Sequence, residues 1–263
     1  MAYVWLTWLA DALRAEGCKV VEESGWKNRG RPSSTGAFNP YGVLWHHTGT
    51  KASTSNPAPT LRTVINGRAD LPGPLCQVLI DYNGVCHVVA AGRANHAGQC
   101  GGFPPFPAGD GNAQMIGFEI DYDGTQPMSD AQRDAATRAS AACLKKWHRD
   151  DEYACRHQET STTGKWDTGG VTGAQLRGWI HDYMQGGGED WMAEPADVWA
   201  VEWGRSGQTA MNFIDTLDEL AADKVWNRPL GKEGFDMEVA LQRIYTWCNQ
   251  MQADITAIKN QLG

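Results

Sequence analysis

A short apolar segment that ends in two histidines constrains the fold of this chain most strongly. Residues 42–49 read Gly-Val-Leu-Trp-His-His-Thr-Gly. The run of Val43, Leu44 and Trp45 predicts a buried strand, which stops where Gly49 lets the chain turn. A strand end holds a histidine rigidly and the following loop leaves a coordination position open, so the segment suits a metal site. Alternatively, both imidazoles are core side chains held by hydrogen bonds, because buried polar groups are normally paired.

Further strands and helices are predicted on both sides of this segment. The Asn83-Gly84 pair lies between two β-branched runs, 76–81 and 85–90, and predicts a tight hairpin because both residues tolerate a positive φ. Ser129 and Gln132 form a capping box at the start of a helix of about five turns. The other predicted strands are 18–22 and 115–122, and the other predicted helices are 3–16, 60–66 and 171–184.

Two later segments supply further candidate metal ligands. Cys155-Arg156-His157 contributes a second imidazole, and Lys165-Trp166-Asp167 contributes a carboxylate. Two imidazoles and one carboxylate with a fourth position for water make a hydrolytic zinc site, since zinc lowers the pKa of water and polarises a carbonyl. The candidate ligands are His46, His157 and Asp167. His47 is the main rival of His46, because neighbours on a strand face opposite sides.

Catalysis at such a site needs groups that are not ligands. Glu119, within the apolar strand 115–122, is a candidate base for the proton of the attacking water. Lys165 would place an ammonium group beside the metal, where it could stabilise the oxyanion. As alternatives, Glu119 could pair with Arg93 or Arg133, and Lys165 could be a solvated loop residue.

An irregular loop of about twenty residues follows the hairpin. Loops of this length in a compact domain are usually functional. Asn95 and His96 lie in this loop, within 92–112. We predict that they line the cleft and bind substrate rather than metal.

Residues 41 to 182 resemble the N-acetylmuramoyl-L-alanine amidases of the peptidoglycan-recognition and phage-lysozyme superfamily. The matching segments are Trp45-His46-His47-Thr48, the Asn83-Gly84 hairpin, Asn95-His96-Ala97-Gly98, Ile116-Gly117-Phe118-Glu119, Arg156-His157 and Lys165-Trp166-Asp167.

The resemblance implies a fold, a cofactor and a reaction. The fold is mixed α/β, with a central mixed β-sheet flanked by helices. The cofactor is Zn²⁺, held by His46 rather than His47 together with His157 and Asp167. Glu119 is the base and Lys165 the electrophile for cleavage of the amide between the lactyl group of N-acetylmuramic acid and L-alanine in bacterial peptidoglycan.

The chain departs from the family pattern at two places. Many relatives have a tyrosine at the beginning of the hairpin, where this chain has Cys76 or Gln77. Thr168-Gly169 follows Asp167 in place of the usual basic and proline residues.

Composition restricts the partners and the compartment. A net charge of -8 without a concentrated basic face argues against nucleic acid. No apolar run reaches membrane-spanning length and the first segment does not read as a signal peptide. Seven cysteines without a CxxC pair fit reduced thiols in a cytoplasm. These features resemble a phage endolysin, made in the host cytoplasm and released to the wall after membrane permeabilisation.

Three regions are predicted along the chain. Residues 1–185 form the catalytic domain, 186–194 a glycine-rich linker, and 195–263 an all-α C-terminal module for wall targeting or oligomerisation. Apolar residues over 237–262 repeat with heptad spacing, which would allow a homo-oligomer. The stripe could instead pack against 209–226. A non-catalytic peptidoglycan-binding module and a structural virion protein are the alternative functions.

Overall fold

The computed structural model describes residues 2–187 and two short strands further along the chain. The chain divides into two compact units, Met1–Trp191 and Met192–Gly263. In the second unit, Glu202–Trp203 pairs antiparallel with Gln208–Thr209. The predicted heptad stripe and nearly all of the predicted linker and helical module lie outside the described residues and stay predictions.

The described part of the first unit combines strands with α-helices. The strands are β1 (Lys19–Glu22), β2 (Gly42–His47), β3 (Gly67–Arg68), β4 (Leu71–Pro72), β5 (Val78–Ile80), β6 (Val85–Val88), β7 (Gln99–Cys100), β8 (Gly109–Asp110), β9 (Met115–Ile120) and β10 (Ala154–Arg156). The helices are α1 (Leu9–Ala15), α2 (Leu61–Asn66), α3 (Gly111–Gln114), α4 (Asp130–Lys146), α5 (His157–Thr160) and α6 (Gly173–Asp182).

Six strands form the central sheet, in the order β1-β6-β5-β9-β2-β10. The β5–β6 pair is antiparallel, and every other neighbouring pair is parallel. The predicted mixed sheet is therefore confirmed. Because β5, β9, β2 and β10 run in the same direction, their C-terminal ends meet at one edge of the sheet.

The two faces of the sheet have different roles because side chains alternate along each strand. On β2, Trp45 lies in the main core and donates its indole N–H to Ser140 Oγ of α4 at 2.8 Å. Leu44 lies in a separate apolar cluster. His46, next to Trp45, is 2% exposed and faces away from α4 with Leu44. The face of the sheet that packs against α4 thus holds the main core, and the opposite face carries His46.

The Asn83-Gly84 segment forms the predicted hairpin turn between β5 and β6. Asp81 Oδ1 accepts hydrogen bonds from the backbone N–H groups of Asn83 and Val85 at 2.9 and 2.8 Å. Gly84 has φ 74°, and a Cβ there would lie 2.5 Å from the Ala131 carbonyl oxygen. Glycine is needed at this position for its conformation and for the close approach of α4.

Capping interactions define the two longer helices after the hairpin. Ser129 and Gln132 form the predicted capping box of α4, and Thr172 and Gln175 form another at α6. Each box satisfies backbone N–H groups that a helix N-terminus leaves without an intrahelical partner.

The prediction of a helix over 3–16 is wrong for its first half. α1 begins at Leu9 after a turn at 7–8, and residues 2–6 are not helical, with Val4 N–H donating to Phe38 O and Leu6 N–H to Ala91 O, both at 2.8 Å. The apolar spacing of this segment predicts a helix, but its backbone hydrogen bonds to distant residues replace the intrahelical ones. Within the described ranges, no helix is long and apolar enough to cross a membrane.

Candidate functional site

Three neighbouring parallel strands bring the candidate residues to one edge of the sheet. His46 is the penultimate residue of β2, and Glu119 lies opposite it in register on β9. His157 follows directly after β10, which pairs with the other side of β2. Sites in open α/β sheets characteristically lie outside the carboxyl ends of the strands.

Two imidazoles and a carboxylate converge at this edge. His46 Nδ1 and His157 Nδ1 lie 3.0 Å apart, and each lies 3.0 Å from Asp167 Oδ2. All three side chains are buried, and their ligand atoms form a group that could hold a metal ion. The structure therefore brings together the three residues that the sequence indicates as ligands.

The donor set fits a zinc ion. Tetrahedral coordination with metal–ligand distances of about 2.0–2.2 Å places ligand atoms about 3.3–3.6 Å apart, a few tenths of an ångström more than the 3.0 Å sides of the observed triangle. If both Nδ1 atoms carried hydrogen, two N–H groups would face each other across 3.0 Å, which is unfavourable. A cation at the centre of the three lone pairs would remove this conflict.

The electrostatics of the cluster match the protonation states that metal binding requires. Burial lowers the pKa of His46 to about 4, so the imidazole is neutral near pH 7. Burial works against ionisation of Asp167, but its polar contacts with the imidazoles of His157 and His46 outweigh this effect and hold the pKa of this carboxyl well below its usual range. Neutral imidazole and ionised carboxylate are the forms that ligate metals.

The loop that carries Asp167 is anchored to β2 and to its own neighbours. Thr168 Oγ1 donates to the Trp45 carbonyl at 2.9 Å, and Gln158 N–H donates to the Asp167 carbonyl at 2.6 Å. The Tyr122 hydroxyl donates to the Gly169 carbonyl at 2.6 Å. The two residues that depart from the family pattern, Thr168 and Gly169, thus hold the carboxylate in place.

His47 lies on the other side of β2, away from the cluster. Its Nδ1 accepts a hydrogen bond from Gly169 N–H at 2.9 Å, and its ring packs at 4.3 Å between centroids against Trp166. These contacts give His47 a role in fixing the loop, so the structure does not bring it to the candidate metal centre.

Glu119 is half-buried and lies beside the cluster. In the described part of the chain, its Oε2 is buried without a hydrogen-bond partner. The arginines considered as alternative partners make other ion pairs, Arg93 with Asp110 and Arg133 with Asp130. Burial, followed by the charges of Asp167 and Asp121, raises the pKa of Glu119 to about 8.

Glu119 should make the metal-free protein less stable as pH rises. The unfolded chain releases this proton near pH 4.5 and the folded chain near pH 8, so stability falls through that interval by at most about 1.4 kcal/mol per pH unit. With chelator present, Glu119→Gln should match wild type near pH 4, below the pKa of the unfolded chain, and exceed it in stability by up to a few kcal/mol at pH 8. Urea unfolding at both pH values measures this difference, and a gap that does not change with pH would contradict it.

Lys165 lies in the exposed loop just before Asp167. Its backbone N–H donates to Ser161 Oγ at 3.2 Å, and its ammonium charge acts on both Glu119 and His46. A cation that is exposed yet close to the cluster can approach a ligand bound there.

The loop residues predicted to bind substrate make protein contacts. Asn95 is half-buried and donates its side-chain amide to the Pro72 carbonyl at 2.8 Å. His96 has both ring nitrogens in contact, Nδ1 with His46 Nε2 at 3.1 Å and Nε2 with the Met115 carbonyl at 3.2 Å. Their binding of substrate stays a prediction.

Cys76 and Gln77, at the position of the family tyrosine, are fully buried. Gln77 Oε1 accepts from Gly117 N–H at 2.7 Å, and its Nε2 donates to the Gly92 carbonyl at 3.1 Å. Gln77 therefore joins β9 to the long loop.

Two residues of the site were not identified from the sequence. Asn112 Oδ1 accepts from the backbone N–H groups of His96 and Ala97, both at 2.8 Å, and so shapes the long loop. Gly117 lies under the His96 ring, where a Cβ would come within 2.5 Å of it. A glycine inside an apolar strand is a signal for such a close approach.

The chain is similar to known proteins. Residues 37–170 match the family model described as N-acetylmuramoyl-L-alanine amidase, Amidase_2. The endolysin LysCS from Clostridium intestinale is 19% identical, with a TM-score of 0.40 over 55% of this chain and 84% of that one. Wild-type Drosophila PGRP-LB is 20% identical, with a TM-score of 0.45 over 62% of this chain and 95% of that one. No curated protein matches.

The family model covers about half of the chain, 134 of 263 residues, and spans β2, the hairpin, β9, β10 and the loop of Asp167. The chain belongs to the N-acetylmuramoyl-L-alanine amidases, enzymes that hydrolyse peptidoglycan at the amide bond between N-acetylmuramic acid and L-alanine.

Proposed function

We propose that the amidase activity is zinc-dependent and that His46, His157 and Asp167 are the metal ligands. The observation that carries this proposal is the triangle of three ligand atoms, each 3.0 Å from the other two, at the end of the parallel strands. When bound, the zinc ion would polarise the scissile carbonyl and activate a water molecule.

Glu119 and Lys165 would carry out the steps that the ligands cannot. The Glu119 carboxylate would accept a proton from the attacking water and pass it to the amide nitrogen as the carbon–nitrogen bond breaks. The Lys165 ammonium would stabilise the negative charge that develops on the carbonyl oxygen. The Glu119 Oε2 atom, which has no hydrogen-bond partner within the described residues, supports this assignment because no protein group occupies its lone pairs.

Asp167 also favours catalysis over the two alternative functions. A module that only binds peptidoglycan does not need a complete set of metal ligands or an unpaired carboxylate. The same holds for a structural virion protein.

The test is mass analysis of fragments released from purified peptidoglycan, with and without prior chelation. Zinc-dependent amidase action should release peptides with a free L-alanine amino terminus and leave intact glycan strands. Activity that survives complete removal of metal would contradict the zinc assignment, and release of glycan fragments alone would contradict the amide bond as the target.

We further propose that the protein acts as a phage endolysin. Six cysteines are buried and free in the described part of the chain, which fits synthesis in a reducing cytoplasm. Bacteria that produce the protein should stay intact until their membrane is permeabilised, as followed by culture turbidity. Lysis upon production alone would contradict release by a separate factor.

A further inference from the structure

Zinc binding through His46 requires a particular tautomer of this residue. The Nδ1 atom faces His157 and Asp167, so it must carry a lone pair, and the ring hydrogen must lie on Nε2. The Asp167 carboxylate at 3.0 Å favours the opposite tautomer, because it can accept a hydrogen bond from an Nδ1–H group. A group on the Nε2 side is needed to oppose this preference.

His96 is placed to do so. The Met115 backbone carbonyl, 3.2 Å from His96 Nε2, can only accept a hydrogen bond, so the ring hydrogen of His96 lies on Nε2. In a neutral imidazole the remaining nitrogen, Nδ1, is then an acceptor. It lies 3.1 Å from His46 Nε2, which must be the donor in this contact.

The rings of His46 and His96 meet nearly perpendicularly, with centroids 5.2 Å apart, which suits an in-plane hydrogen bond.

The backbone positions the His96 ring on both sides. Asn112 Oδ1 accepts hydrogen bonds from the backbone N–H groups of His96 and Ala97, which fixes the loop. On β9 the ring lies against Gly117, and a Cβ there would overlap it at 2.5 Å. The absence of a side chain at 117 is therefore a condition for the contact with His46.

We propose that His96 is a positioning residue that holds His46 in the Nε2–H tautomer and so leaves Nδ1 free to bind zinc. The proposal rests on the zinc role of His46 stated above. It assigns to the Met115 carbonyl, His96 and His46 one continuous set of hydrogen bonds that ends at the metal centre. Partners of this kind orient metal-binding histidines and typically change metal affinity about 10–100-fold when they are removed.

Two variants of His96 separate this role from simple packing. In His96→Asn, the side-chain oxygen can take the place of Nδ1 and accept from His46, whereas His96→Phe keeps a ring but no acceptor. We expect zinc affinity, measured by competition with a chromophoric chelator, to fall about 10–100-fold in His96→Phe and to stay within a few-fold of wild type in His96→Asn. His181→Phe, at an exposed histidine, is the matched control and should bind zinc like wild type.

Nitrogen-15 NMR of the chelator-treated full chain reads the tautomers directly. We expect His46 to have its hydrogen on Nε2 in wild type and to shift toward the Nδ1–H form in His96→Phe. A hydrogen on His46 Nδ1 in wild type, or equal zinc affinity in wild type and His96→Phe, would overturn the proposal. A wild type that binds no zinc would instead refute the proposed metal centre, whatever the tautomer.

Discussion

Replacing Asp167 with alanine is expected to remove zinc from the protein and to reduce amide hydrolysis to background. Asp167 Oδ2 is equidistant from both imidazole Nδ1 atoms, so its loss leaves two neutral ligands and no negative charge at the site. Loss of an outer partner of a ligand alone costs about 10–100-fold in metal affinity, so loss of a ligand should cost more than 100-fold. Zinc content by elemental analysis and peptide release from peptidoglycan measure the two effects.

Asp167→Cys is the informative companion of this variant. A thiolate is negatively charged and is a preferred zinc ligand, so it should restore zinc binding and part of the activity that alanine removes. Asp11→Ala, at an exposed residue whose carboxylate contacts Arg14, is the matched control and should change neither quantity. Stoichiometric zinc in Asp167→Ala would show that this carboxylate is not a ligand.

Local patterns were sufficient to predict the strands that build the centre of the molecule. The apolar run that ends at His46 and the Asn83-Gly84 turn both appear in the structure where they were predicted. A side-chain period of two also puts Trp45 and His46 on opposite faces, one in the core and one at the site. These features depend on neighbouring residues in sequence, which is why a single sequence reveals them.

The choice between His46 and His47 depends on distant residues. The Gly169 N–H group that binds His47 Nδ1 comes from a loop more than a hundred positions away. No sequence periodicity describes the path of such a loop. The residue pattern therefore allows either His46 or His47 as the metal ligand, and only the family resemblance selects His46. The contact between His96 and His46 has the same origin, since it depends on how the loop 92–112 folds back over β9.

The N-terminal segment shows where pattern reasoning fails. Its apolar spacing predicts a helix from residue 3, yet Val4 and Leu6 donate to carbonyl groups of separate loops. A non-helical segment can satisfy its backbone hydrogen-bonding groups through such long-range partners, and a window of neighbouring residues does not show these partners.

Replacing Glu119 with glutamine is expected to reduce kcat by about 10²–10⁴-fold, the usual contribution of a general acid–base group, while zinc stays bound. Glutamine keeps the shape of the side chain but cannot accept a proton from water. The zinc should remain because Glu119 lies outside the triangle of His46, His157 and Asp167. Single-turnover peptide release and elemental analysis on the same samples separate loss of chemistry from loss of metal.

The control for this variant is the same substitution at a carboxylate remote from the site. Glu16 pairs with Lys145 at 2.7 Å on the helical side of the sheet, so Glu16→Gln should leave kcat unchanged. Loss of both zinc and activity in Glu119→Gln would make Glu119 part of the metal centre instead of the base. Full activity with zinc bound would assign the proton transfer to another group, since an amide cannot perform it.

The metal also affects the pH at which Glu119 acts as a base. In the metal-free protein, burial raises the pKa of Glu119 to about 8. A dication beside Glu119 favours the ionised carboxylate, so Glu119 should be ionised at lower pH in the zinc-loaded enzyme than in the metal-free protein.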